Sequence, residues 1–325
     1  MQIGLVGLGR MGMNMGRRWL KGGHEVVAFN RTIEKAEELA TEGAIAAGSL
    51  TALVEHLKAP RLVWLMLPTG AVVDQHVEEL AERLSPGDIV IDGGNTYYKD
   101  DIRHAEFLKT KGIRFMDAGV SGGIWGLKNG YCTMVGGAQE LFQHIEPVLK
   151  TLAPKDGYLH CGGVGAGHFI KMIHNGIEYG LMQAYAEGFE IIEASPYKTD
   201  LQKVSHLWNR GSVVRSWLPE LAEEAFAQDP SLGKISGYVE DSGEGRWMVQ
   251  QAIETGVAAP VITQSVYQRS ISREKDPFGF RVLAALRNQF GGHAVVKAGE
   301  NKRQAIAGAV QAAIAAPDAQ RAGFR

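Results

Sequence analysis

The first half of the sequence alternates short apolar runs with amphipathic stretches. Six runs rich in valine, isoleucine and leucine have the length of β-strands: Gln2–Leu5, Glu25–Phe29, Arg61–Leu67, Asp88–Ile91, Arg114–Ala118 and Tyr131–Val135. Helical patterns, such as those over residues 32–42 and 71–84, lie between several of them. This alternation is typical of an α/β domain with a doubly wound parallel sheet, which binds its ligand beyond the carboxyl ends of the strands. We therefore predict such a domain over residues 1–165.

The strand pattern stops after Gly167, and helical patterns follow. They cover residues 169–194, 200–209, 218–228, 246–254, 258–273 and 281–289, and an alanine-rich stretch over 304–316 is a candidate for a last helix. The sequence therefore predicts an all-α C-terminal domain over residues 166–325. A chain of 325 residues has the length of about two ordinary domains.

Composition and charge exclude several classes of protein. Hydrophobic residues make up 45% of the chain and charged residues 22%, as in ordinary globular proteins. A net charge of −2 argues against a nucleic-acid-binding protein, which would carry a basic surface. Because no apolar run reaches the ~18 residues of a membrane span and no export signal precedes the first predicted strand, we expect a cytoplasmic protein with no membrane partner. The two cysteines, Cys132 and Cys161, and the spacing of histidines and carboxylates predict neither a disulfide framework nor a metal site.

A glycine-rich turn joins the first predicted strand to the first predicted helix. Gly7, Gly9 and Gly12 have the spacing G-x-G-x-x-G, with Arg10 and Met11 inside the motif. In this position glycines allow a tight turn and let a pyrophosphate approach the helix N-terminus. The sequence therefore predicts a Rossmann-type dinucleotide-binding domain rather than a plain glycine turn.

The end of the second predicted strand indicates which dinucleotide binds. NAD sites usually place a carboxylate there to hold the ribose hydroxyls, whereas this chain has Asn30, Arg31 and Thr32. A cation beside the ribose suits the 2′-phosphate of NADP. We therefore predict NADP as the cofactor and keep NAD as possible, since Arg31 could instead be a solvated loop residue.

Residues 119–123 match the G-x-S-x-G motif of serine hydrolases. That motif requires a helix to begin directly after the serine, but Gly126, Asn129, Gly130 and a further predicted strand follow Ser121. We therefore interpret Ser121, Gly122 and Gly123 as hydrogen-bond donors facing a polar ligand.

One predicted helix carries a polar face on an otherwise apolar surface. Lys171, His174, Asn175 and Glu178 are spaced i, i+3, i+4 and i+7, and apolar residues such as Ile170 and Ile177 lie between them, so we expect this face to be buried. A buried lysine and a carboxylate beside a nicotinamide can act as an acid–base pair, because burial lowers the pKa of the lysine and raises that of the acid. The alternative is a solvated stripe with ion pairs along the helix, although Lys171 and Glu178 are two turns apart.

With these motifs in place, the sequence resembles the 6-phosphogluconate dehydrogenases (decarboxylating) over nearly its whole length. The resemblance lies in residues 7–12, 92–96, 119–123 and 167–179, and in the Arg-Asn-Gln-Phe-Gly-Gly-His tail over 287–293. The wider hydroxyacid dehydrogenases share the first and third of these motifs. The chain lacks the duplicated helical half of the long members, so it resembles the short form.

The resemblance implies a role for each site residue. Lys171 would be the general base and later the acid, and Glu178 would protonate the intermediate. Asn95 would lie between the cofactor and the substrate, 6-phosphogluconate. The remaining substrate-binding residues would be Ser121, Gly122, Gly123, His174, Asn175, Tyr179, Arg215, Arg287 and His293, of which the last three would bind the phosphate. The product would be ribulose 5-phosphate, formed with release of CO2 in the pentose phosphate pathway.

The resemblance also implies an assembly of subunits. In long members the tail matching 287–293 reaches into the neighbouring subunit, so we expect at least a homodimer, or a homotetramer, rather than a monomer. Where the family has a longer basic loop, this chain has residues 241–247, in which Arg246 could replace a phosphate contact. Two other functions stay open at this point: a 3-hydroxyisobutyrate-type dehydrogenase without decarboxylation, and a dinucleotide-binding sensor without turnover.

Overall fold

The computed structural model describes residues 1–291 and 295–296. The chain forms two compact units. The first contains Met1–Ser236 and Glu240–Arg269, and the second contains Gly237–Val239 and the chain from Ser270 onwards. The predicted boundary at 165/166 falls where a long helix begins, and that helix belongs to the same compact unit as the sheet.

The first unit is built on one eight-stranded sheet. Its strands are β1 (Gln2–Val6), β2 (Glu25–Phe29), β3 (Ile45–Ala47), β4 (Leu62–Leu65), β5 (Ile89–Asp92), β6 (Arg114–Ser121), β7 (Cys132–Gly136) and β8 (Tyr158–Gly162). They are ordered β3-β2-β1-β4-β5-β6-β7-β8. Every neighbouring pair is parallel except β6 and β7, which are antiparallel.

Helices connect and then follow the strands. Those within the sheet region are α1 (Arg10–Lys21), α2 (Ile33–Ala40), α3 (Leu50–His56), α4 (Ala71–Ala81), α5 (Tyr98–Lys109), α6 (Gly126–Asn129) and α7 (Gln139–Leu152), with a 3₁₀ turn at Gly123–Trp125. Those after the sheet are α8 (Ala166–Ala194), α9 (Leu201–Trp208), α10 (Trp217–Gln228), α11 (Glu244–Thr255), α12 (Pro260–Ser272) and α13 (Phe278–Gly291). Every element described after β8 is thus a helix, as the sequence predicts.

The sheet is apolar on both faces. Along β4, Leu62 and Trp64 belong to the core on one face, and Val63 and Leu65 belong to the core on the other. The first core also receives Trp19 of α1, whose ring makes an edge contact with Trp64 at a centroid distance of 5.3 Å. Helices cover both faces because the inner strands, such as β4, carry apolar side chains on both sides, which is the doubly wound arrangement.

Two strands were not predicted, and the last two strands, β7 and β8, run opposite to the other six. β3 is three residues long and contains two alanines, and β8 is an edge strand with Leu159 largely exposed. Neither has the continuous run of large apolar residues that marks a buried strand. The antiparallel β7 follows β6 through a short connection rather than a full crossover helix. The predicted helix over 304–316 lies outside the described residues.

We compared the length and hydropathy of the helices with those that a membrane-spanning helix needs. In the described part of the chain, no helix is both long and apolar enough to span a bilayer.

Candidate active site

The backbone of the turn between β1 and α1 lines one end of a large cavity. Gly7 has a φ of +95°, and a Cβ there would lie 2.4 Å from the carbonyl oxygen of Met66. A Cβ on Gly12 would lie 2.1 Å from the carbonyl oxygen of Gly7, whereas the space beside Gly9 is open. Only glycine fits at Gly7 and Gly12, and the open side of the turn leaves room for a pyrophosphate at the N-terminus of α1. These residues fit a bound dinucleotide.

The residues after β2 lie beside this turn. Asn30 accepts a hydrogen bond from the backbone N–H of Leu8 through Oδ1 at 2.9 Å, and its Nδ2 donates to the carbonyl of Thr32 at 3.0 Å. Asn30 therefore ties the end of β2 to the glycine-rich turn. Arg31 is exposed and lines the cavity, as does Lys35 of α2. Two cations thus border the part of the cavity nearest to the turn.

The cavity has a volume of about 1900 Å³ and extends from this turn to α8. Such a volume accommodates a dinucleotide and a second small molecule. The sequence-predicted residues that line it are Gly7, Gly9, Met11, Gly12, Asn30, Arg31, Thr32, Asn95, Ser121, Gly122, Gly123, Lys171, His174, Asn175, Glu178 and Tyr179. The structure therefore brings most of the predicted cofactor and substrate residues into one space.

Lys171 is the buried cation of this cavity. Its residue surface is 7% exposed, and its Nζ lies 3.4 Å from Nδ1 of His174. Burial lowers the pKa of Lys171, although the charges of Glu178 and Glu244 oppose that shift. Compared with an exposed lysine, a larger fraction of Lys171 is therefore neutral and able to accept a proton.

The remainder of the polar face is only partly buried. Asn175 is buried, but the side chain of Glu178 is 44% exposed, with its Oε2 3.9 Å from Nδ1 of His174. Ile170 and Ile177 are also exposed. The prediction of a wholly buried face is therefore wrong. The physical reason is that α8 borders an open cavity here.

The backbone of β6 lies directly against α8. A Cβ on Gly119 would lie 2.3 Å from Cβ of Lys171, and a Cβ on Gly167 would lie 2.4 Å from the carbonyl oxygen of Met134. Ser121, at the end of β6, places its Oγ 3.3 Å from Nε2 of His174. The glycines therefore allow the close approach that brings Ser121 and Lys171 to the same part of the cavity. The chain continues from Ser121 into a 3₁₀ turn, not into a hydrolase-type helix.

A buried ion pair joins the first turn of α8 to α5. Nδ1 of His168 lies 2.7 Å from Oδ2 of Asp101, and its Nε2 lies 3.1 Å from the carbonyl oxygen of Gly94. Since both ring nitrogens face oxygen acceptors, the imidazole is a double donor and carries a positive charge. Burial opposes this charge, but Asp101, Asp92 and Asp117 raise the pKa of His168. The pair therefore fixes α8 next to the loop that contains Asn95.

The sequence predicts no metal site, because its histidines and carboxylates are not clustered along the chain. The structure gathers two buried groups with metal-ligand spacing, namely Asp92, Asp101 and His104, and Asp101, Asp117 and His168. Asp117 already accepts hydrogen bonds from the backbone N–H groups of Gly165 and His168, at 2.6 and 2.8 Å. The second group thus serves to connect α8 to the sheet. The grouping was missed because its members are distant in sequence.

The lining residues that were not predicted include Arg269, Ser242 and Glu244. The guanidinium carbon of Arg269, on α12, lies 3.4 Å from the ring centroid of Tyr179, whose hydroxyl lies 3.3 Å from Oγ of Ser242. Glu244, the first residue of α11, is buried and accepts hydrogen bonds through Oε1 from the side-chain amides of Asn95 and Asn175. Single charged residues within helical patterns, such as Arg269, give no signal of a site in the sequence.

Several predicted residues lie elsewhere. Arg10 and Arg215 are exposed and are not among the residues that line the cavity. Arg246 is likewise exposed and pairs with Asp241 at 3.5 Å. Arg287 is an exposed residue of α13 in the second compact unit, and His293 lies outside the described residues.

Comparisons with known proteins agree with this geometry. Residues 2–163 match the model of the NAD binding domain of 6-phosphogluconate dehydrogenase, and residues 167–319 match that of its C-terminal domain. The NAD(+)-dependent, decarboxylating 6-phosphogluconate dehydrogenase of Haloferax volcanii is 43% identical over 299 residues, which cover 91% of this chain and 99% of that protein. The NADP(+)-dependent, decarboxylating enzyme of Bacillus subtilis is 36% identical over 321 residues, covering 94% of this chain and 67% of that protein.

A solved structure gives the same result. The 6-phosphogluconate dehydrogenase of Plasmodium falciparum, determined without ligand, with NADP+ and with 6-phosphogluconate, matches with a TM-score of 0.77 at 28% identity. The match covers 94% of this chain and 68% of that one. Both halves of the chain therefore have their counterparts in one family, and this chain belongs to the 6-phosphogluconate dehydrogenases.

Proposed function

We propose that this protein catalyses the oxidative decarboxylation of 6-phosphogluconate to ribulose 5-phosphate and CO2, a step of the pentose phosphate pathway, with NADP or NAD as oxidant. The observation that carries the proposal is Lys171. It is a buried lysine of lowered pKa in the same cavity as the dinucleotide turn, next to His174, Asn175 and Glu178. A relative that matches 91% of the chain and a solved structure that matches 94% of it support the substrate.

The residues of the chain supply the acid–base steps. Neutral Lys171 removes the proton of the 3-hydroxyl group. A coenzyme held at the turn of Gly7, Gly9 and Gly12 would supply the oxidant for the hydride that leaves carbon 3. The sugar acid is then a β-keto acid. Lys171, now an ammonium group, donates its proton to the new carbonyl oxygen. The bond to the carboxylate carbon then breaks, CO2 leaves, and the electrons of that bond form the carbon–carbon double bond of an enediol. Glu178 then protonates the carbon that has lost CO2, and neutral Lys171 takes back the proton of the enediol hydroxyl, which leaves the ketone of the product.

Arg269 supplies the cation for the substrate phosphate within the first unit. It lines the cavity and stacks on Tyr179, whose hydroxyl contacts Ser242. A guanidinium group binds phosphate well because its planar fork makes two parallel hydrogen bonds. We assign the phosphate to Arg269 in place of Arg215, which is exposed and does not line the cavity.

A steady-state assay tests the proposed function. Purified protein is incubated with 6-phosphogluconate and either NADP or NAD, and reduced coenzyme and released CO2 are measured together. We expect both products in equal amounts. Gluconate, which lacks the phosphate, and 3-hydroxyisobutyrate are the control substrates. Oxidation of 3-hydroxyisobutyrate without CO2 would favour the non-decarboxylating alternative, and coenzyme binding with no turnover of any substrate would favour a sensor.

Arg31→Asp is expected to reverse the preference for NADP. The carboxylate repels the 2′-phosphate of NADP but can bind the free ribose hydroxyls of NAD. We expect kcat/KM for NADP to fall by roughly tenfold more than kcat/KM for NAD, about 1.4 kcal/mol. Arg210→Asp is the matched control, because it makes the same charge change at an exposed arginine outside the cavity. Equal losses with both coenzymes in Arg31→Asp would show that Arg31 does not read the 2′-phosphate.

The proposal includes a homodimer or larger homo-oligomer with shared sites. In the second unit, Leu283, Leu286, Val295 and Val296 are exposed, which is unusual for a monomer. Arg287 and His293 would reach a partner's site from this part of the chain. Inactive Lys171→Met subunits are mixed with inactive Arg287→Ala subunits, and exchange is verified by mass. Recovered activity is expected because one of the hybrid's sites is intact. No recovery despite exchange would argue for sites contained within one subunit.

A further inference from the structure

Glu244 is a buried carboxylate for which the reaction described above has no step. It is 2% exposed and lines the same cavity as Lys171. Its Oε1 accepts hydrogen bonds from Nδ2 of Asn95 and from Nδ2 of Asn175, the latter at 3.1 Å. Its Oε2 is buried and has no hydrogen-bond partner among the residues that the structure describes. Burying a carboxylate with one oxygen unpaired costs free energy. A residue that is kept at such a cost usually has a function, so we looked for one in this site.

A carboxylate differs from every other group in this cluster because it can only accept hydrogen bonds when ionised. Its position at the first residue of α11 favours the negative charge, since the helix dipole is positive there. Facing such an acceptor, the side chains of Asn95 and Asn175 must present their NH2 groups. Each amide oxygen is therefore turned away from Glu244.

The orientation of the Asn175 amide fixes which atoms donate and which accept in the neighbouring hydrogen bonds. Oδ1 of Asn175 lies 2.9 Å from Nδ1 of His174, so that oxygen must accept and Nδ1 must carry the proton. In a neutral imidazole, Nε2 is then an acceptor, and it lies 3.3 Å from Oγ of Ser121. The chain of hydrogen bonds from Ser121 through His174 and Asn175 to Glu244 thus runs in a single direction.

The position of the proton on His174 also affects the charge of Lys171. Its Nζ lies 3.4 Å from Nδ1 of His174. With its proton donated to Asn175, Nδ1 has no lone pair left that could accept a hydrogen bond from an ammonium group of Lys171. The arrangement therefore favours the neutral lysine that must be present when the 3-hydroxyl is deprotonated.

We infer that Glu244 is a positioning residue: it sets the orientation of the Asn95 and Asn175 amides and, through Asn175, the tautomer of His174 beside Lys171. This inference rests on the proposed function for its effect on turnover. Its structural part, the tautomer of His174, stands independently of the substrate.

The test compares Glu244→Gln with the unaltered protein. Glutamine has nearly the same shape but can present either an acceptor or a donor, so it no longer fixes the amides. We expect His174 to lose its single Nδ1–H tautomer, observed in ¹⁵N NMR of the neutral ring with the signal assigned from a His174→Gln variant. We also expect kcat/KM with 6-phosphogluconate to fall by about 10- to 100-fold, as for misplaced reacting groups, with coenzyme affinity unchanged.

Glu254→Gln is the matched control, because Glu254 lies on the same helix, is exposed and pairs with Lys99 outside the cavity. It should keep the tautomer and the turnover of the unaltered protein. If Glu244→Gln does not fold, Glu244→Ala makes the same test. A folded Glu244 variant that keeps the single tautomer, or that keeps full kcat/KM, overturns the inference. Absence of turnover in the unaltered protein would instead contradict the proposed function, and the NMR measurement would still decide the role of Glu244.

Discussion

Replacing Lys171 with methionine is expected to lower kcat by at least ~100-fold. The substitution removes the buried amine that exchanges a proton with the substrate in the described cavity. Methionine retains most of the length and apolar stem of lysine, so α8 should pack as before. The measurement is steady-state turnover of 6-phosphogluconate, with coenzyme affinity determined separately by fluorescence titration. Coenzyme affinity should be unchanged, since the glycine-rich turn is untouched.

The control for this variant is Lys198→Met. Lys198 is an exposed lysine that follows α8 and does not line the cavity. It makes the same chemical change without touching the site and should leave kcat unchanged. Turnover near normal in Lys171→Met would remove Lys171 from the mechanism, and a matching loss in Lys198→Met would point to a general effect of lysine removal.

The second large effect is expected from His168→Leu. Removing the imidazolium leaves Asp101 buried without its ion-pair partner, while Asp92 and Asp117 remain nearby. Breaking one side of a buried ion pair destabilises proteins by about 3 to 5 kcal/mol. The free energy of unfolding, measured by urea denaturation, should fall by that amount.

A double variant separates the ion pair from simple loss of packing. In Asp101→Leu/His168→Leu neither charge of the pair remains, so the double variant should be more stable than His168→Leu alone. If the double variant is as unstable as the sum of the single variants, the two residues do not act as a pair.

The pair also predicts how stability depends on pH. The pKa of His168 is raised from 6.5 to about 10 in the folded protein, since the surrounding carboxylates outweigh the effect of its burial. A group whose pKa is raised by folding stabilises the folded state fully below its unfolded pKa. That contribution should be lost as pH rises from 6.5 towards 10. Tm measured across this range should fall more in the unaltered protein than in the double variant.

The parts of the site that could be predicted from the sequence are those encoded locally. The spacing of Gly7, Gly9 and Gly12 requires only that a strand precede and a helix follow, and the spacing of Lys171 and Asn175 requires only a helix. Such features depend on residues within a few turns of one another. The cavity lining confirms that these residues meet in one space.

The rest depends on contacts between distant segments. Glu244 meets Asn95 across 149 positions, and Asp101 meets His168 across 67. No periodicity links such residues, so their carboxylates could not be placed in the sequence. The position of Arg215 was inferred from resemblance alone, and the structure brings Arg269 to the cavity instead. The exposed Ile170 and Ile177 show that an apolar helix face can border a ligand cavity rather than a core.

The contact between Gly119 and Lys171 has a mechanical consequence. Because no side chain separates β6 from the first turns of α8, the stem of the lysine starts from a point fixed by two stiff elements of secondary structure. Only the outer bonds of its side chain can then rotate. Rotation about these outer bonds can redirect the amine, whereas a displacement of the lysine stem requires α8 or β6 to move as a whole.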